Sequence, residues 1–313
     1  NTQMHKLPVW IDCDTGVDDA IAIMLAHALP ELQLVGLSAV AGNSPLSNTF
    51  PNTRRIVHLI GAEYPVYPGA EKPLVRELQI AGAFHGKNGL GDVELPLPDT
   101  APETTPAWDA LYEAAKRMPG ELRLVATGPL TNVAIALSSY PDLASLLHSI
   151  SLMGGAAVGG NVTPAAEFNI YDDPEAAQIV FKSGAKLVMC GLDVTMQAEL
   201  RPEDWDEMAA FGNRCGKVAR DILQCSWRTI RTIGLTGVAQ HDSCPVMYLA
   251  HPELFAGEMA GVYIETQGVI TRGKTVTDLH SDKKFDKKNA LVLLKLDREA
   301  FMKILKDRIR TLP

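Results

Sequence analysis

The stretch Asp12-Cys13-Asp14-Thr15-Gly16-Val17-Asp18-Asp19, directly after the apolar run Val9-Trp10-Ile11, decides how this chain is read. The apolar residues predict a strand over Val9–Cys13, and the paired acids open a helix predicted over Asp18–Leu29. A loop joining a strand's carboxyl end to a helix is where α/β sheets bind ligands. Four carboxylates within eight residues repel one another unless a cation or hydrogen-bond donors offset the charge. Helix capping accounts for Asp18 and Asp19, because acids favour a helix N-terminus. It leaves Asp12 and Asp14 without a role. Oxygen ligands of this kind suit Ca²⁺ or Mg²⁺.

Working outward, strand signals recur at Leu32–Ala41, Leu122–Ala126, Ser149–Met153 and Lys186–Cys190. Helical patterns lie between them, around Asn52–Ile60, Thr104–Met118, Leu130–Ser138 and Pro174–Ser183. Such alternation predicts an α/β fold with a mostly parallel central sheet and helices on both faces, open and Rossmann-like. The later part predicts helices at Pro202–Phe211, Cys215–Ile233, Ser243–Ala250 and Arg298–Ile309, with strands at Val262–Gln267 and Ala290–Leu296. No repeat or long linker interrupts it, so residues 1–313 are expected to form a single domain.

Composition narrows the function. Hydrophobic residues make up 46% and charged residues 21% of the 313, which is globular rather than disordered. Lys plus Arg number 29 against 37 for Asp plus Glu, a net charge of −8. That balance gives no electrostatic reason to bind nucleic acid or an anionic membrane, and no apolar run is long enough for a membrane span. The opening, Asn1 to Lys6, is polar and does not read as a secretory signal. Five cysteines without a C-x-x-C pair read as free thiols in a reducing compartment, hence a cytoplasmic protein.

Two metal-loop patterns can be tested on the acidic stretch. An EF-hand wants Gly sixth and Glu twelfth, but counting from Asp12 those places hold Val17 and Ile23. The D-x-D-x-T or D-x-D-x-V loop of haloacid-dehalogenase phosphatases fits less badly, with Gly16 fifth, and a Mg²⁺-dependent phosphatase stays a rival. It would need a phosphate-binding Lys or Arg, and none accompanies the loop.

The stretch closely resembles the D-x-D-P-G-x-D-D opening of the nucleoside hydrolases, the inosine-uridine preferring nucleoside N-ribohydrolases. Further matches follow in order: Val40-Ala41-Gly42-Asn43, His85-Gly86, Ala126-Thr127-Gly128-Pro129-Leu130-Thr131-Asn132 and Met153-Gly154-Gly155. Asn161-Val162-Thr163-Pro164-Ala165-Ala166-Glu167-Phe168-Asn169 and His241-Asp242 complete the series. Each motif alone is weak; the ordered set spans nearly the whole chain.

The resemblance implies one Ca²⁺ per subunit, held by Asp14, Asp19, Asp242 and the Thr127 carbonyl, with Asp12 supporting the others. It implies a nucleoside substrate whose ribose meets Asp18, Asn43, Asn161, Glu167 and Asn169, with Met153 and Phe168 in the same motifs as further substrate-site residues. It also implies hydrolysis of the N-glycosidic bond to ribose and free base by a homo-oligomer, a tetramer or dimer. Departure of the base from C1′ builds positive charge on the sugar, which a carboxylate-rich pocket stabilises. Asp14 is then the general base toward water, His241 the acid or hydrogen-bond donor toward the leaving base, and His85 closes over the site.

Two departures matter. Thr15 replaces the family's Pro, which removes a fixed φ but no ligand. In the helix before His241, Ser226 and Ile230 stand where family members with pyrimidine or broad activity tend to carry tyrosines. Trp227 and Arg231, four apart on that helix, would suit stacking and a donor fork for a purine, so inosine and guanosine are the expected substrates. A nucleoside- or ribose-binding protein without turnover is the remaining rival, against which the retention of Asp14 argues.

Overall fold

The apolar run before Asp14 becomes a strand whose last five residues are buried, as expected where helices cover both faces of a sheet. The computed structural model describes residues 5–280 and 282–313, so most of the polar opening lies outside the described residues. The strands are β1 (Leu7–Cys13), β2 (Leu32–Ala39), β3 (Val66–Pro68), β4 (Arg123–Ala126), β5 (Ser149–Met153) and β6 (Leu187–Cys190). After them come β7 (Glu199–Leu200), β8 (Val238–Ala239), β9 (Phe255–Ala260), β10 (Val262–Ile264), β11 (Thr275–Thr277) and β12 (Ala290–Leu296). One sheet runs β3-β2-β1-β4-β5-β6-β12-β9. Every neighbouring pair in it is parallel except β9, which lies antiparallel to β12. Two antiparallel pairs, β7-β8 and β10-β11, stand apart from it.

The helices are α1 (Val17–Ala28), α2 (Leu46–Leu59), α3 (Ala107–Arg117), α4 (Thr131–Ser139), α5 (Leu143–Leu146) and α6 (Phe168–Asp172). The others are α7 (Pro174–Phe181), α8 (Leu192–Thr195), α9 (Pro202–Ala209), α10 (Arg214–Ile230), α11 (Ser243–Ala250) and α12 (Arg298–Arg310). Side chains alternate across β1, so Val9 and Ile11 join one core while Trp10 joins the other. The first core takes α1, α2, α10, α11 and α12; the second takes α3, α4 and α7. The mostly parallel α/β architecture expected from the alternation is therefore present.

Differences have local causes. Helix α2 begins at Leu46, six residues ahead of the predicted Asn52, and contains Pro51. Proline in a helical interior reads as a break. The predicted strand Val262–Gln267 stops at Ile264, where the chain turns toward its partner β11. β9 has Gly257 in its middle and four exposed residues, so it shows no apolar alternation to read.

Candidate active site

The carboxyl ends of the strands open on a cavity of about 500 Å³. Its lining includes Asp18, Asn43, His85, Thr127, Met153, Asn161, Glu167, Phe168, Asn169, His241 and Asp242. Thus eleven of the positions singled out in the sequence reach one space, from seven separate stretches of chain. Asp14 and Asp19 lie beneath it, fully buried, and with Asp242 they are close enough to perturb one another's charge.

Backbone and amide donors build this floor. The Gly16 N–H donates to Asp19 Oδ2 (3.2 Å), which seats Asp19 in the first turn of α1. Thr127, at the end of β4, donates its hydroxyl to Asp19 Oδ1 (2.6 Å). Asn43 donates its N–H to Asp14 Oδ2 (2.8 Å) and its amide to the Asp14 carbonyl (3.1 Å) and Asp19 Oδ2 (3.3 Å). Asn43 therefore straps the acidic loop as well as lining the cavity. Behind the floor, Asp12 accepts from Ser38 Oγ (2.5 Å) and Asn132 Nδ2 (2.7 Å), and Trp10 Nε1 donates to the same serine (2.9 Å). Thr15 fills the place of the family's proline with a hydroxyl pair to Thr53 (2.7 Å).

Burial, and after it the charge of Asp19, pushes Asp14, Asp18 and Asp242 well above the usual carboxylate range. Burial raises Asp19 too, against the donors from Thr127 and Gly16. No Lys or Arg among the described residues pairs with these acids. Asp12 Oδ2, Asp14 Oδ1 and Asp18 Oδ1 are buried without any partner. Buried acceptors of this sort are costly unless something donates or coordinates. A hard divalent cation fits the donor set: carboxylates, a carbonyl and orphaned lone pairs. No three His, Cys, Asp or Glu side chains among the described residues are gathered in a metal-holding arrangement. A cation binding here favours the charged carboxylates and so competes with protons for them.

The walls are equally determined. Glu167 caps α6, accepting from Gly155 N (2.9 Å), Asn169 N (2.9 Å) and Ile170 N (3.3 Å), and burial lifts it to about 7. Asn169 donates to the carbonyls of Thr127 (3.0 Å) and Met153 (2.9 Å). Asn161 accepts the Phe168 N–H (2.9 Å). His85 Nδ1 accepts the Val17 N–H (3.0 Å), so its ring proton sits on Nε2, and burial holds the imidazole down to about 3. His241 Nδ1 pairs with the Thr195 hydroxyl (2.7 Å), and burial lowers it to about 4. Both rings are neutral at pH 7.

Trp227 and Arg231 do not belong to this cavity, which corrects their reading as base contacts. Helix α10 turns Ile222, Leu223 and Ser226 inward, and Ser226 Oγ donates to the Phe84 carbonyl (3.4 Å). The next residue, Trp227, is rotated onto the core against Trp205, with ring centroids 6.0 Å apart. Arg231 is exposed and opens a 3-10 turn. Ile230, four residues beyond Ser226, faces the cavity instead. The sequence reading also missed the apolar wall of Ile80, Phe84, Met196, Leu235 and Val238, and the polar Gln79 and Glu199. Met196 and Glu199 follow the carboxyl end of β6, the position that could have marked them.

A parallel sheet whose carboxyl ends open on an acid-floored cavity defines a small-molecule enzyme of the doubly wound α/β class. The sequence model of the inosine-uridine preferring nucleoside hydrolases matches residues 9–303. The chain is 44% identical over 306 residues to the pyrimidine-specific ribonucleoside hydrolase RihA of Citrobacter koseri, covering 97% of this chain and 98% of that one. Among solved structures, a plant nucleoside hydrolase superposes with a TM-score of 0.92 at 31% identity, over 98% of this chain and 100% of the other. A purine-preferring ribonucleoside hydrolase from Gardnerella vaginalis gives 0.91 at 32%, over 97% and 98%. The chain belongs to the nucleoside hydrolase family and is a nucleoside hydrolase.

Proposed function

We propose that this enzyme hydrolyses the N-glycosidic bond of pyrimidine ribonucleosides, with Ca²⁺ held by Asp14, Asp19, Asp242 and the Thr127 carbonyl. The observation that carries the reading is the set of buried, partly unpartnered carboxylates under a cavity that no Lys or Arg lines. A bound divalent cation supplies positive charge that neutralises the acids and acidifies water. Asp14, buried at the floor, takes the proton of the attacking water. Asp18, with Oδ1 unpartnered, accepts from a ribose hydroxyl, and Asn161, Glu167 and Asn169 fix the sugar between Met153 and Phe168. Neutral His85 and His241 present Nε2 to the departing base, as donors rather than charged acids.

Pyrimidine preference rests on the 44%-identical relative named for it and on the removal of Trp227 and Arg231 from the cavity. With them goes the physical ground for expecting inosine and guanosine first. A phosphatase is disfavoured because no cationic side chain lines the cavity to hold phosphate. The five cysteines are free thiols, which suits a reducing compartment such as the cytoplasm, and we expect a homo-oligomer, testable by solution mass. The deciding assay measures ribose and base released from uridine, cytidine and inosine, with Ca²⁺ and after chelation. Absence of ribose release from all three would reject the function, and activity indifferent to chelation would reject the cation.

A further inference from the structure

Between Met153 and Asn161, both at the cavity wall, the chain makes a turn bounded by Gly154-Gly155 and Gly159-Gly160. Val158 at its tip is 80% exposed, whereas Ala156 is buried against Met153 and Leu192, so apolar burial holds only one side of the turn. Gly155 and Gly159 take φ of 76° and 74°, a region that glycine enters without steric cost. Side chains from distant elements supply the missing order. Asp193 of α8 accepts from Ala157 N (2.7 Å) and Val158 N (3.2 Å). Thr275 Oγ1 of β11 accepts from Ala156 N (2.9 Å) and donates to the Ala156 carbonyl (2.7 Å). Lys274 Nζ donates to the carbonyls of Ala156 (3.2 Å), Ala157 (3.3 Å) and Gly159 (3.4 Å). An ammonium has three donors, and this turn engages all of them. The arrangement is a cation site whose cation is part of the chain.

We propose that Lys274 is a positioning residue of the substrate site: its ammonium locks the turn over residues 156–159 and so holds Asn161 and Val162 against the nucleoside. The proposal rests on the nucleoside-hydrolase reading for what the cavity binds. Lys274 does not line the cavity, and bonds from an ammonium to carbonyls are among the stronger kind. Its loss therefore acts on substrate binding rather than on the chemical step. The Asn161 bond to Phe168 N remains, so the wall loosens without collapsing.

The test uses Lys274→Met, which keeps the stem and removes the charge, and Lys274→Ala, which opens the space. For uridine, both should raise KM about tenfold while kcat stays within about twofold. Amide exchange should quicken at residues 156–162 and be unchanged in the sheet. Ammonium chloride, but not tetramethylammonium chloride, should lower the KM of Lys274→Ala back toward the native value. A native KM in both variants overturns the proposal. So does a raised KM that ammonium leaves unmoved while exchange quickens through the whole chain, because that describes a fold role. If the native enzyme cleaves no nucleoside, the functional reading fails, whereas the exchange arm still reports whether Lys274 holds the turn.

Discussion

Asp14 and Gly16 show how much a single position carries. Asp14→Asn keeps the volume and cannot take a proton, so kcat should fall about 10²–10⁴-fold with KM little changed; steady-state kinetics with uridine would show it. A near-native kcat would remove Asp14 from the chemistry. Gly16 has φ of −124°, which any residue adopts, so its need is space: an added Cβ would strike the His85 ring. Gly16→Ala should push His85 off the Val17 N–H and cost about 1–3 kcal/mol, as overpacking does, read as a lower denaturant midpoint together with weaker activity. Sugar recognition is decided at this scale too. A site built to bond a hydroxyl is left with unpaired polar groups when it is missing, so 2′-deoxyuridine should be poorer than uridine by up to about 10⁴ in kcat/KM. Equal values would contradict the role given to Asp18.

Elements are fixed by a few polar ties, and one of them has a pH signature. Asp172, the last residue of α6, accepts the Gln79 N–H (3.2 Å), and Asp173 accepts the Leu74 N–H (2.9 Å), so α6 anchors the segment leading to the cavity wall at Ile80. Burial lifts Asp172 to about 7, above its value of about 3.9 in the unfolded chain. The folded protein therefore binds the extra proton between those values. The stability it confers is full below the unfolded value and lost as pH rises through about 7. Asp172→Asn should flatten the fall in melting temperature between pH 5 and pH 8; an unchanged slope would place the proton elsewhere. Helix α10 shows what sequence could and could not convey. Its existence was plain from apolar spacing, yet its phase was not, since Trp227 and Ser226 differ by one step and the large aromatic went to Trp205. The acidic loop was legible because four close carboxylates admit few explanations. Ile80 and Leu235 were not, because an apolar residue in a loop carries no mark of what it faces.

Across the whole molecule, the −8 net charge is concentrated in function where the acids of α1 meet Asp242 at the head of α11. Ca²⁺ should raise the melting temperature, by an amount growing with its excess over Kd, about 2.7 kcal/mol at a hundredfold excess. Binding displaces protons, so the gain should be greater at pH 8 than at pH 5.5. Calorimetry with Ca²⁺ against chelator at both pH values measures it, and equal gains would mean that Ca²⁺ binding displaces no protons.

Strand β12 enters the sheet between β6 and β9, although about a hundred residues of chain separate it from β6. A ribosome adding about 5–20 residues per second leaves β6 as an open edge on the nascent chain for about 5–20 s. Unpaired edges invite pairing between molecules. Soluble yield in recombinant production should therefore fall when slow codons are placed between residues 190 and 290, and fall less when they are placed before residue 150, by which point neither β6 nor its edge has been made.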